Sequence, residues 1–348
     1  MNQASASTQA VIYTSTGGPD VLHLVERPSA APGAGEVSVR MRVSGVNPTD
    51  WKSRQGSAAG QPLAFAEVVP NQDGAGVIDA VGDGVTDRTV GQRVWLWEAA
   101  WKRANGTAQQ LVVLPAHQAV PLPDGASYDL GASLGIPALT AHRCLTVSPL
   151  GPDRLHPEAL NGRTVLVAGG AGAVGHAAIE LALWAGATVI TTISTEEKAQ
   201  LVRAAGAEHV VNYRTGDAAT EIRAIAPGGV DIVVEVSAST NSALGAEIMA
   251  PNGTIAIYAD NGGDTAAIPI RPHMVTNTRI QFVLVYTVDA VSKSNAVADV
   301  SAAVAVGALT IGADGGLPVH RFALEQTAAA HAAVAAGVVG KVLIDIPA

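Results

Sequence analysis

The sequence predicts an α/β protein of two domains, a partly closed β-barrel followed by a doubly wound parallel sheet. Its 348 residues exceed one ordinary domain. Up to about residue 130, short runs of alternating polarity recur at 36–43, 74–82, 92–97 and 110–114, with turn signals between them. That rhythm is typical of a barrel. From about residue 163, apolar strands alternate with helices, which indicates a parallel sheet covered on both faces.

The order of these segments divides the chain into three parts. We expect the barrel domain, which would carry the substrate, at 1–130 and the parallel-sheet domain at 131–288. Residues 289–348 hold two alanine-rich helices, the strand-like VHRF and the amphipathic strand GKVLIDI. We expect this last part to return to the first domain.

Composition excludes several classes of protein. Hydrophobic residues make up 48% and charged residues 15%, which favours a large core over disorder. The single cysteine, Cys144, excludes an internal disulfide framework and a multi-cysteine zinc site, and it predicts a cytoplasmic protein. A net charge of −9 with 4% aromatic residues argues against nucleic-acid binding. No apolar run predicts a membrane span, and MNQASASTQA resembles a frayed tail rather than a secretory signal.

The stretch VAGGAGAVGH at 167–176 predicts a dinucleotide site. It places Gly169, Gly172 and Gly175 between a buried strand and a buried helix. Glycine permits a tight turn, close approach of a pyrophosphate and close packing of helix on strand, and the helix N terminus offers free N–H groups. The spacing alone also fits a simple tight turn, but the strand–turn–helix context favours the dinucleotide.

The end of the second parallel strand favours NADPH over NADH. An NAD site carries an acidic residue here, whereas this chain has Ser194 and Thr195, with Lys198 one turn later and Tyr213 after the next strand. Hydroxyl, ammonium and phenol groups would bind the 2′-phosphate of NADPH. Ser194 with Glu197 also fits a capping box, in which case Lys198 is an ordinary solvated lysine, and both interpretations are compatible.

Taken together, the motifs resemble the medium-chain dehydrogenase/reductase superfamily, and within it the zinc-free quinone oxidoreductases of the zeta-crystallin type. Besides the glycine loop, the resemblance lies in GVNPTDWKSRQG (45–56), GAGVIDAVGDGVTDRTVGQRVW (74–95), GASLGIPALTAHRCL (131–145), STEEKAQL (194–201), GVDIVVEV (229–236) and the terminal GKVLIDI. It implies a GroES-like barrel domain and a Rossmann domain.

The resemblance also implies roles for individual residues. The backbone N–H groups of Gly172, Ala173 and Val174 would hold the pyrophosphate, and Lys198 with Tyr213 would hold the 2′-phosphate. Further cofactor contacts would come from Thr140, Tyr258, Val285 and Tyr286. Asn47 would lie near the nicotinamide ring.

Zinc chemistry is not expected. The positions that resemble the catalytic zinc ligands of alcohol dehydrogenases are Asn47, Gln72 and Ile136, and none is a good zinc ligand. The histidines are scattered, and we expect them at the surface or as caps. Without a Lewis acid, alcohol oxidation loses favour, and hydride delivery to an electron-poor acceptor gains favour.

The proton donor stays open. Relatives often carry a tyrosine where this chain has Lys52, so Lys52, Asp50 or water are the candidate donors. Lys52 also fits a solvent-facing side chain beside a turn aspartate. Trp97, Trp101 and Trp51 are candidates to stack on a flat substrate, although plain packing is favoured for them.

Three functions follow from these observations. The first is an NADPH-dependent, zinc-independent reductase of quinones. The second is an enoyl or 2-alkenal reductase acting on an activated C=C bond, and the third is a non-catalytic NADPH-binding protein of the crystallin kind. The partners are a small-molecule substrate and a second copy of the chain. The resemblance implies a homodimer or homotetramer paired through RIQFVLVY (279–286), although an internal strand would look the same.

Overall fold

The computed structural model describes residues 7–347. Its strands, in chain order, are β1 (Ser7–Ile12), β2 (His23–Pro28), β3 (Glu36–Val46), β4 (Asp73–Val81), β5 (Arg93–Leu96), β6 (Leu111–Pro115), β7 (Ala119–Pro121), β8 (Thr164–Ala168), β9 (Thr188–Ile193), β10 (His209–Asn212), β11 (Val230–Glu235), β12 (Met249–Ile257), β13 (Arg279–Phe282), β14 (Val319–Ala323) and β15 (Lys341–Asp345). Its helices are α1 (Pro48–Gln55), α2 (Tyr128–Thr146), α3 (Ala173–Trp184), α4 (Glu196–Ala204), α5 (Ala218–Ile225), α6 (Ala238–Ile248), α7 (Ile270–Thr276), α8 (Ala290–Ala305) and α9 (Thr327–Ala335).

Two compact units share the chain. The first holds the residues up to Ile136 and from Val319 onward, and the second runs from Pro137 to Pro318. The sequence predicts boundaries at 130/131 and 288/289, so the alanine-rich helix α8 falls in the second unit rather than in the return segment. One physical reason is the carboxylate of Asp299 on α8, which accepts hydrogen bonds from His142 at 2.8 Å and from the backbone of Leu155 at 2.6 Å.

The second unit is a parallel sheet of six strands, in the order β10-β9-β8-β11-β12-β13. The two central strands, β8 and β11, are nearly continuous buried runs because both of their faces are covered; in β8 only the first residue, Thr164, is not buried. After β8, the strands β9 and β10 are added on one side of β8, and the strands β11, β12 and β13 are added on its other side. This switch in strand order is where doubly wound sheets bind ligands.

The first unit is built around the long strand β3. β3 pairs with β4, β6 and β15, all antiparallel, and the sheet continues from β15 to β14 and from β4 through β5 to β7. Two register shifts in the β3–β4 pairing, between Ser38 and Val39 and between Met41 and Val43, let β3 bend around a common core. All four barrel runs predicted from alternation are strands, and β15 returns to β3 as expected.

The predicted frayed tail is wrong for the part of it that the structure describes. Residues 7–10 open strand β1, which pairs antiparallel with β2, and Ala10 is fully buried in the core of the first unit. Residues 1–6 of that predicted tail lie outside the described residues. The polar composition of the segment concealed a strand because β1 buries only its last residues.

β13 lies at one end of the parallel sheet and is shorter than the predicted run RIQFVLVY. It ends at Phe282, and Val285–Thr287 form a 3-10 turn. No helix within residues 7–347 combines the length and the apolar character needed to cross a membrane. Cys144 is buried on α2, and the cytoplasmic location predicted from it stays a prediction.

Candidate functional site

The glycine turn joins β8 to α3 at the switch point of the parallel sheet. Gly169 follows β8 with a φ of +66°, which glycine adopts without strain. α3 begins at Ala173, with Gly172 at the N-cap and no side chain capping the helix. The first N–H groups of α3 therefore form an uncapped, partially positive end, which is a suitable site for a phosphate anion.

The three glycines of the turn serve different purposes. A Cβ atom on Gly175 would lie 2.6 Å from the carbonyl oxygen of Gly169 and 2.8 Å from the Cα of Gly170, so close helix–strand packing requires glycine there. A Cβ on Gly172 would meet the Gly169 oxygen at an ordinary 3.6 Å. The protein's own packing does not require glycine at 172, and the space above it suits a ligand that approaches the backbone closely.

Neighbouring strand ends place the predicted phosphate-binding residues at the same edge of the sheet. The backbone N–H of Tyr213 donates to Ile193 at the end of β9, which puts Tyr213 beside the turn carrying Ser194. Lys198 donates from Nζ to Ser194 Oγ at 3.2 Å. The Tyr213 side chain is 49% exposed, so its phenol is accessible.

The N-cap of α4 is Thr195 rather than Ser194. The Thr195 side chain accepts from the Lys198 N–H, so the predicted box of Ser194 with Glu197 is wrong by one residue. Glu197 lies in the first helical turn, where hydrogen bonds from its own backbone N–H and from Thr195 lower the pKa of its carboxyl. Glu196 pairs with Arg203 at 2.9 Å. The hydroxyl of Ser194, which carries no charge, thus remains the acceptor beside the Lys198 ammonium.

The remaining predicted cofactor residues also lie in the second unit. Thr140 is buried on α2, and Tyr258 follows β12 with its N–H donating to Glu235 at the end of β11. Burial is the main cause that raises the pKa of the Tyr258 phenol, so it stays neutral. Val285 and Tyr286 form the buried start of the 3-10 turn after β13. Whether these residues contact a cofactor stays a prediction.

The first unit contains a buried polar cluster, which we call the Asp73 cluster and define as Asn47, Asp50, Asp73, Lys341 and the backbone of Ile136. Asp73 Oδ2 accepts from Asn47 Nδ2 at 2.7 Å, and Asp73 Oδ1 accepts from the Ile136 N–H at 2.9 Å. Lys341 Nζ donates to Asn47 Oδ1 at 2.7 Å and lies 3.7 Å from Asp73 Oδ2. Asp50 Oδ2 accepts from the Asn47 N–H at 2.7 Å.

Burial shifts the ionisation of the whole cluster. It raises the pKa of Asp50 to about 8, with the neighbouring charge of Asp73 as the second cause. Burial likewise raises the pKa of Asp73 and lowers the pKa of Lys341, while the attraction between these two opposes both shifts. Removal from water disfavours the charged form of each group. A charged side chain in this cluster is therefore stable only beside a group of opposite charge.

The structure brings together the positions that resemble zinc ligands, but not as ligands. Asn47 and the backbone N–H of Ile136 both donate hydrogen bonds to Asp73. Gln72 precedes Asp73 in the chain, and the Oε1 atom of Gln72 accepts from the Ala100 N–H at 3.0 Å. No group of histidine, cysteine or acidic side chains in residues 7–347 could hold a metal ion. The Lys341 ammonium would also repel a cation there, so these residues do not fit zinc.

Lys52 and the tryptophans lie apart from this cluster. Lys52 is exposed on α1, whereas Asn47 and Asp50 are buried. Trp95 and Trp97 are both buried, and Trp97 packs edge-on against His117 with ring centroids 5.8 Å apart. Trp51 and Trp101 are half-buried. Packing therefore accounts for Trp95 and Trp97.

Sequence reasoning missed the two charged residues at the centre of the cluster. Asp73 is the first residue of β4 and Lys341 is the first residue of β15, and both are buried together with the residues that follow them. A charged residue at the start of such a buried, apolar run is the signal that could have identified them. The histidine prediction was also wrong for four residues, since His142, His176, His273 and His331 are buried. For instance, His331 Nε2 bonds to Asn71 Oδ1 at 2.9 Å.

Comparison with known families and proteins agrees with this architecture. Residues 33–124 match the alcohol dehydrogenase GroES-like domain, and residues 173–302 match the zinc-binding dehydrogenase family. The chain is 34% identical over 267 residues to a 2-haloacrylate reductase of Burkholderia sp., covering 75% of each protein. It is 28% identical to the quinone oxidoreductase of Homo sapiens over 343 residues, covering 97% of each.

Another similar relative is longer than this chain. The chain is 32% identical over 252 residues to the synaptic vesicle membrane protein VAT-1 homolog of Homo sapiens. The match covers 72% of this chain and 60% of that protein. The chain thus spans about three fifths of the length of this relative.

Two solved structures share the fold over nearly the whole length. A mycobacterial protein in complex with NADPH superimposes with a TM-score of 0.79 at 29% identity, covering 97% of this chain and 99% of that one. An NAD-dependent alcohol dehydrogenase superimposes with a TM-score of 0.83 at 28% identity, covering 97% and 100%.

The different roles of the glycines give a paired prediction. Gly175→Ala should lower the free energy of unfolding by about 1–3 kcal/mol, because its methyl group meets backbone atoms that cannot move independently. Gly172→Ala should leave that free energy unchanged within about 0.5 kcal/mol. Denaturant unfolding of both variants measures the difference, and equal losses would contradict the assigned roles.

Proposed function

We propose a function from the premise that this chain belongs to the medium-chain dehydrogenase/reductase superfamily and to its quinone oxidoreductase-like family. The protein is an NADPH-dependent reductase. Its acceptor is a quinone, and its reaction needs no zinc. The observation that carries the proposal is the uncapped N terminus of α3 behind the glycine turn. It follows β8, one of the two strands at the change in strand order, and this is where doubly wound sheets bind ligands.

The second strand end supports NADPH rather than NADH. Lys198, Ser194 and Tyr213 present an ammonium, a hydroxyl and an accessible phenol at the end of β9 and β10. A carboxylate in place of Ser194 would repel a 2′-phosphate, whereas these groups would donate hydrogen bonds to it. A similar mycobacterial structure was solved with NADPH, while the similar alcohol dehydrogenase is NAD-dependent, so the distinction depends on this chain's own residues.

Residues of the chain would divide the remaining work between binding and proton supply. A bound NADPH supplies the hydride. Gly172, Ala173 and Val174 would hold the pyrophosphate through backbone N–H groups, and Thr140, Thr195, Tyr258, Val285 and Tyr286 would complete the cofactor site. In the first unit Asn47, Asp50 and Lys52 are the proposed catalytic residues, with Asp50 and Lys52 as candidate proton donors.

The donor set supports a reaction without zinc. The positions that resemble zinc ligands offer an amide, a second amide and an isoleucine, and the first amide is bonded at both ends. A carbonyl of an unactivated ketone or aldehyde accepts hydride more readily when a Lewis acid polarises it. A quinone is electron-poor without one, which favours it as the acceptor.

A second candidate acceptor is an activated C=C bond. It is favoured by the similarity to a 2-haloacrylate reductase, whose named substrate is an electron-poor alkene. The chemistry is closely related, because hydride addition to the β-carbon of an enone and hydride addition to a quinone both produce an anion that takes up one proton. The distinction lies in the shape of the acceptor site.

We also propose that the protein is a homodimer, with a homotetramer as the alternative. β13 is the end strand of the parallel sheet, so one row of its backbone groups is available to another strand. Exposed apolar side chains surround this edge, namely Ile270, Met274, Val275, Phe282 and Leu284. Several exposed, large apolar side chains in the segments that form and precede an edge strand favour an interaction surface there.

The function is tested by steady-state kinetics with NADPH against quinones, enones and enoyl thioesters. We expect the highest kcat/KM with a quinone, because its reduction needs no metal. Turnover confined to enones or enoyl thioesters would favour the second candidate. NADPH binding without any turnover would contradict an enzymatic function and leave a nucleotide-binding protein. As a control for zinc, a chelator should leave the activity intact, and elemental analysis should find well under one zinc per chain.

Cofactor preference is tested with Lys198→Ala. The variant should weaken NADPH binding about tenfold or more and leave NADH binding nearly unchanged, because a charge-assisted hydrogen bond to the 2′-phosphate contributes roughly 1.5–3 kcal/mol. Fluorescence titration with both cofactors measures the effect. Arg203→Ala on the same helix is the matched control, since Arg203 is already paired with Glu196. Equal losses for NADPH and NADH in Lys198→Ala would remove the phosphate assignment.

The proposed dimer is tested with Phe282→Asp. A charge on the exposed edge strand should convert the dimer to a monomer in sedimentation equilibrium, because an unpaired carboxylate would be buried at the interface. Val291→Asp, on an equally exposed residue of α8, should leave the dimer intact. A wild-type protein that sediments as a monomer would contradict the proposal.

A further inference from the structure

We propose that the Asp73 cluster separates its two carboxyl groups into an ionised Asp73, paired with Lys341, and a protonated Asp50 that releases its proton to the reduced acceptor. Lys341 is then a positioning residue that acts through Asn47 and Asp73. The part that concerns the acceptor rests on the proposed function, whereas the protonation states are properties of the protein alone.

Lys341 lies inside the first unit, close to Asn47 and Asp73. It opens β15, next to the Val342–Val46 pair, and so lies beside Asn47, which follows β3. Its side chain is only 2% exposed. A lysine is almost never buried to this extent without a partner. The two partners within reach are Asn47 Oδ1 at 2.7 Å and the Asp73 carboxylate at 3.7 Å.

The hydrogen bonds of the two carboxyl groups distinguish Asp73 from Asp50. Both oxygens of Asp73 accept, from Asn47 Nδ2 and from the Ile136 N–H, and the ammonium of Lys341 lies beside one of them. An ionised carboxylate is an acceptor only, and these contacts suit it. In Asp50, Oδ2 accepts from the Asn47 N–H, whereas buried Oδ1 makes no hydrogen bond of ordinary geometry among the described residues; the backbone N–H of Gln72 lies near this carboxyl and partly opposes the rise of its pKa. The unoccupied oxygen is the natural place for a proton.

The orientation of the Asn47 amide favours an ionised Asp73. Lys341 can only donate, so it takes the amide oxygen, and the amide nitrogen must then face Asp73. This orientation is favourable only while Asp73 accepts, as a carboxylate does. Lys341 and Asn47 together hold Asp73 in its charged form.

The net charge of the cluster favours one protonated carboxyl group. One ammonium and two carboxyl groups share the buried volume, so a net charge of zero requires that one carboxyl keeps its proton. An uncompensated buried charge is far more costly than a neutral acid. Asp73 is closer to the ammonium and better bonded, so Asp50 is the neutral member.

The other ionisable groups near Asp50 leave this count unchanged. Tyr13 faces Asp50, and burial raises the pKa of its phenol to about 12, so it stays neutral. Arg54, one turn along α1, is a buried cation, but the carboxylate that opposes its charge is Asp20, so it leaves the count for Asp50, Asp73 and Lys341 unchanged. His331 on α9 is neutral because burial lowers its pKa to about 3.

The proton transfer balances in atoms and charge. Hydride addition leaves the reduced acceptor as an anion. The O–H bond at Asp50 Oδ1 breaks, a new bond to hydrogen forms on the acceptor, and Asp50 becomes a carboxylate. That carboxylate makes the cluster negative by one charge, which favours rapid recovery of a proton from solvent. One proton is consumed for each hydride transferred.

The decisive experiment compares Asp50→Asn with Asp73→Asn. Asparagine imitates a protonated aspartate, so at about pH 4, where Asp50 is protonated in both the folded and the unfolded chain, Asp50→Asn should keep the wild-type Tm within about 2 °C. Asp73→Asn leaves Lys341 unpaired and should lower the Tm by about 5 °C or more. The double variant Asp73→Asn with Lys341→Met removes both charges and should recover most of that loss. Equal costs for Asp50→Asn and Asp73→Asn, or no recovery in the double variant, would overturn the proposed pairing.

Infrared difference spectroscopy gives a readout that does not depend on the Asp73 variants folding. The wild type at pH 6 should show the C=O stretching band of one buried protonated carboxyl, which disappears as the pH rises through about 8. The band should be missing in Asp50→Asn. A wild type without the band, or a band that persists in Asp50→Asn, would contradict the assignment of the proton to Asp50.

Stability should follow the same proton. The folded-state pKa of Asp50, about 8, is above its unfolded value of roughly 4, so the folded protein holds the proton more tightly. The Asp50 contribution is complete below about pH 4 and is lost as the pH rises to about 8. The Tm of the wild type relative to Asp50→Asn should therefore fall across this window and be flat above it. A constant difference would contradict the raised pKa.

Activity tests the remaining claim and separates the two proposals. With an acceptor that the wild type reduces, kcat of the wild type should fall above about pH 8, and Asp50→Asn should lose about 100-fold in kcat while keeping its affinity for NADPH. An unchanged kcat would refute Asp50 as the proton source even where the infrared result assigns the proton to it. If no acceptor is reduced at all, the proposed function fails, while the unfolding and infrared results still decide the protonation states.

Discussion

The buried carboxylate of Asp73 is the constraint around which the first unit is organised. A charge removed from water must be paired and hydrogen-bonded, and the partners of Asp73 come from three separate parts of the chain. Asn47 follows β3, Ile136 lies in α2 and Lys341 opens β15. The return of the last strand to β3 therefore does more than complete a sheet, since it delivers the only ammonium that the cluster contains.

The second unit treats polar groups in the opposite way. Its glycine turn leaves the N–H groups at the start of α3 without a side-chain cap, and packing requires glycine at 175 but not at 172. Unsatisfied donors at an accessible helix end are stable because water or an anion completes them. A paired, buried carboxylate in one unit and an uncapped helix N terminus in the other are consistent with the proposed roles in proton supply and in cofactor binding.

Family membership and residue chemistry answer different questions about this protein. The similarity to reductases and dehydrogenases establishes the scaffold, which supports many reactions. The identity of the reaction depends on substitutions within that scaffold. Asn47 and Ile136 occupy positions that resemble metal ligands, yet both are committed to Asp73, and an ammonium stands where a metal cation would need acceptors. These residues direct our proposal toward acceptors that need no Lewis acid.

By itself, the sequence determined the local features of this protein. Strand periodicity predicted the barrel strands and the parallel sheet, and the glycine stretch predicted a tight turn between a strand and a helix, because each depends on residues within about 20 positions. Only the tertiary structure decided the Asp73 cluster, since Lys341 and Asn47 are 294 positions apart and meet through strand register. For the same reason the sequence did not reveal the contacts of α8, because the partners of Asp299, namely His142 and Leu155, precede it by 157 and 144 positions. Burial periodicity reports that a residue is inside, whereas its charge partner is set by which distant strands and helices pack against it.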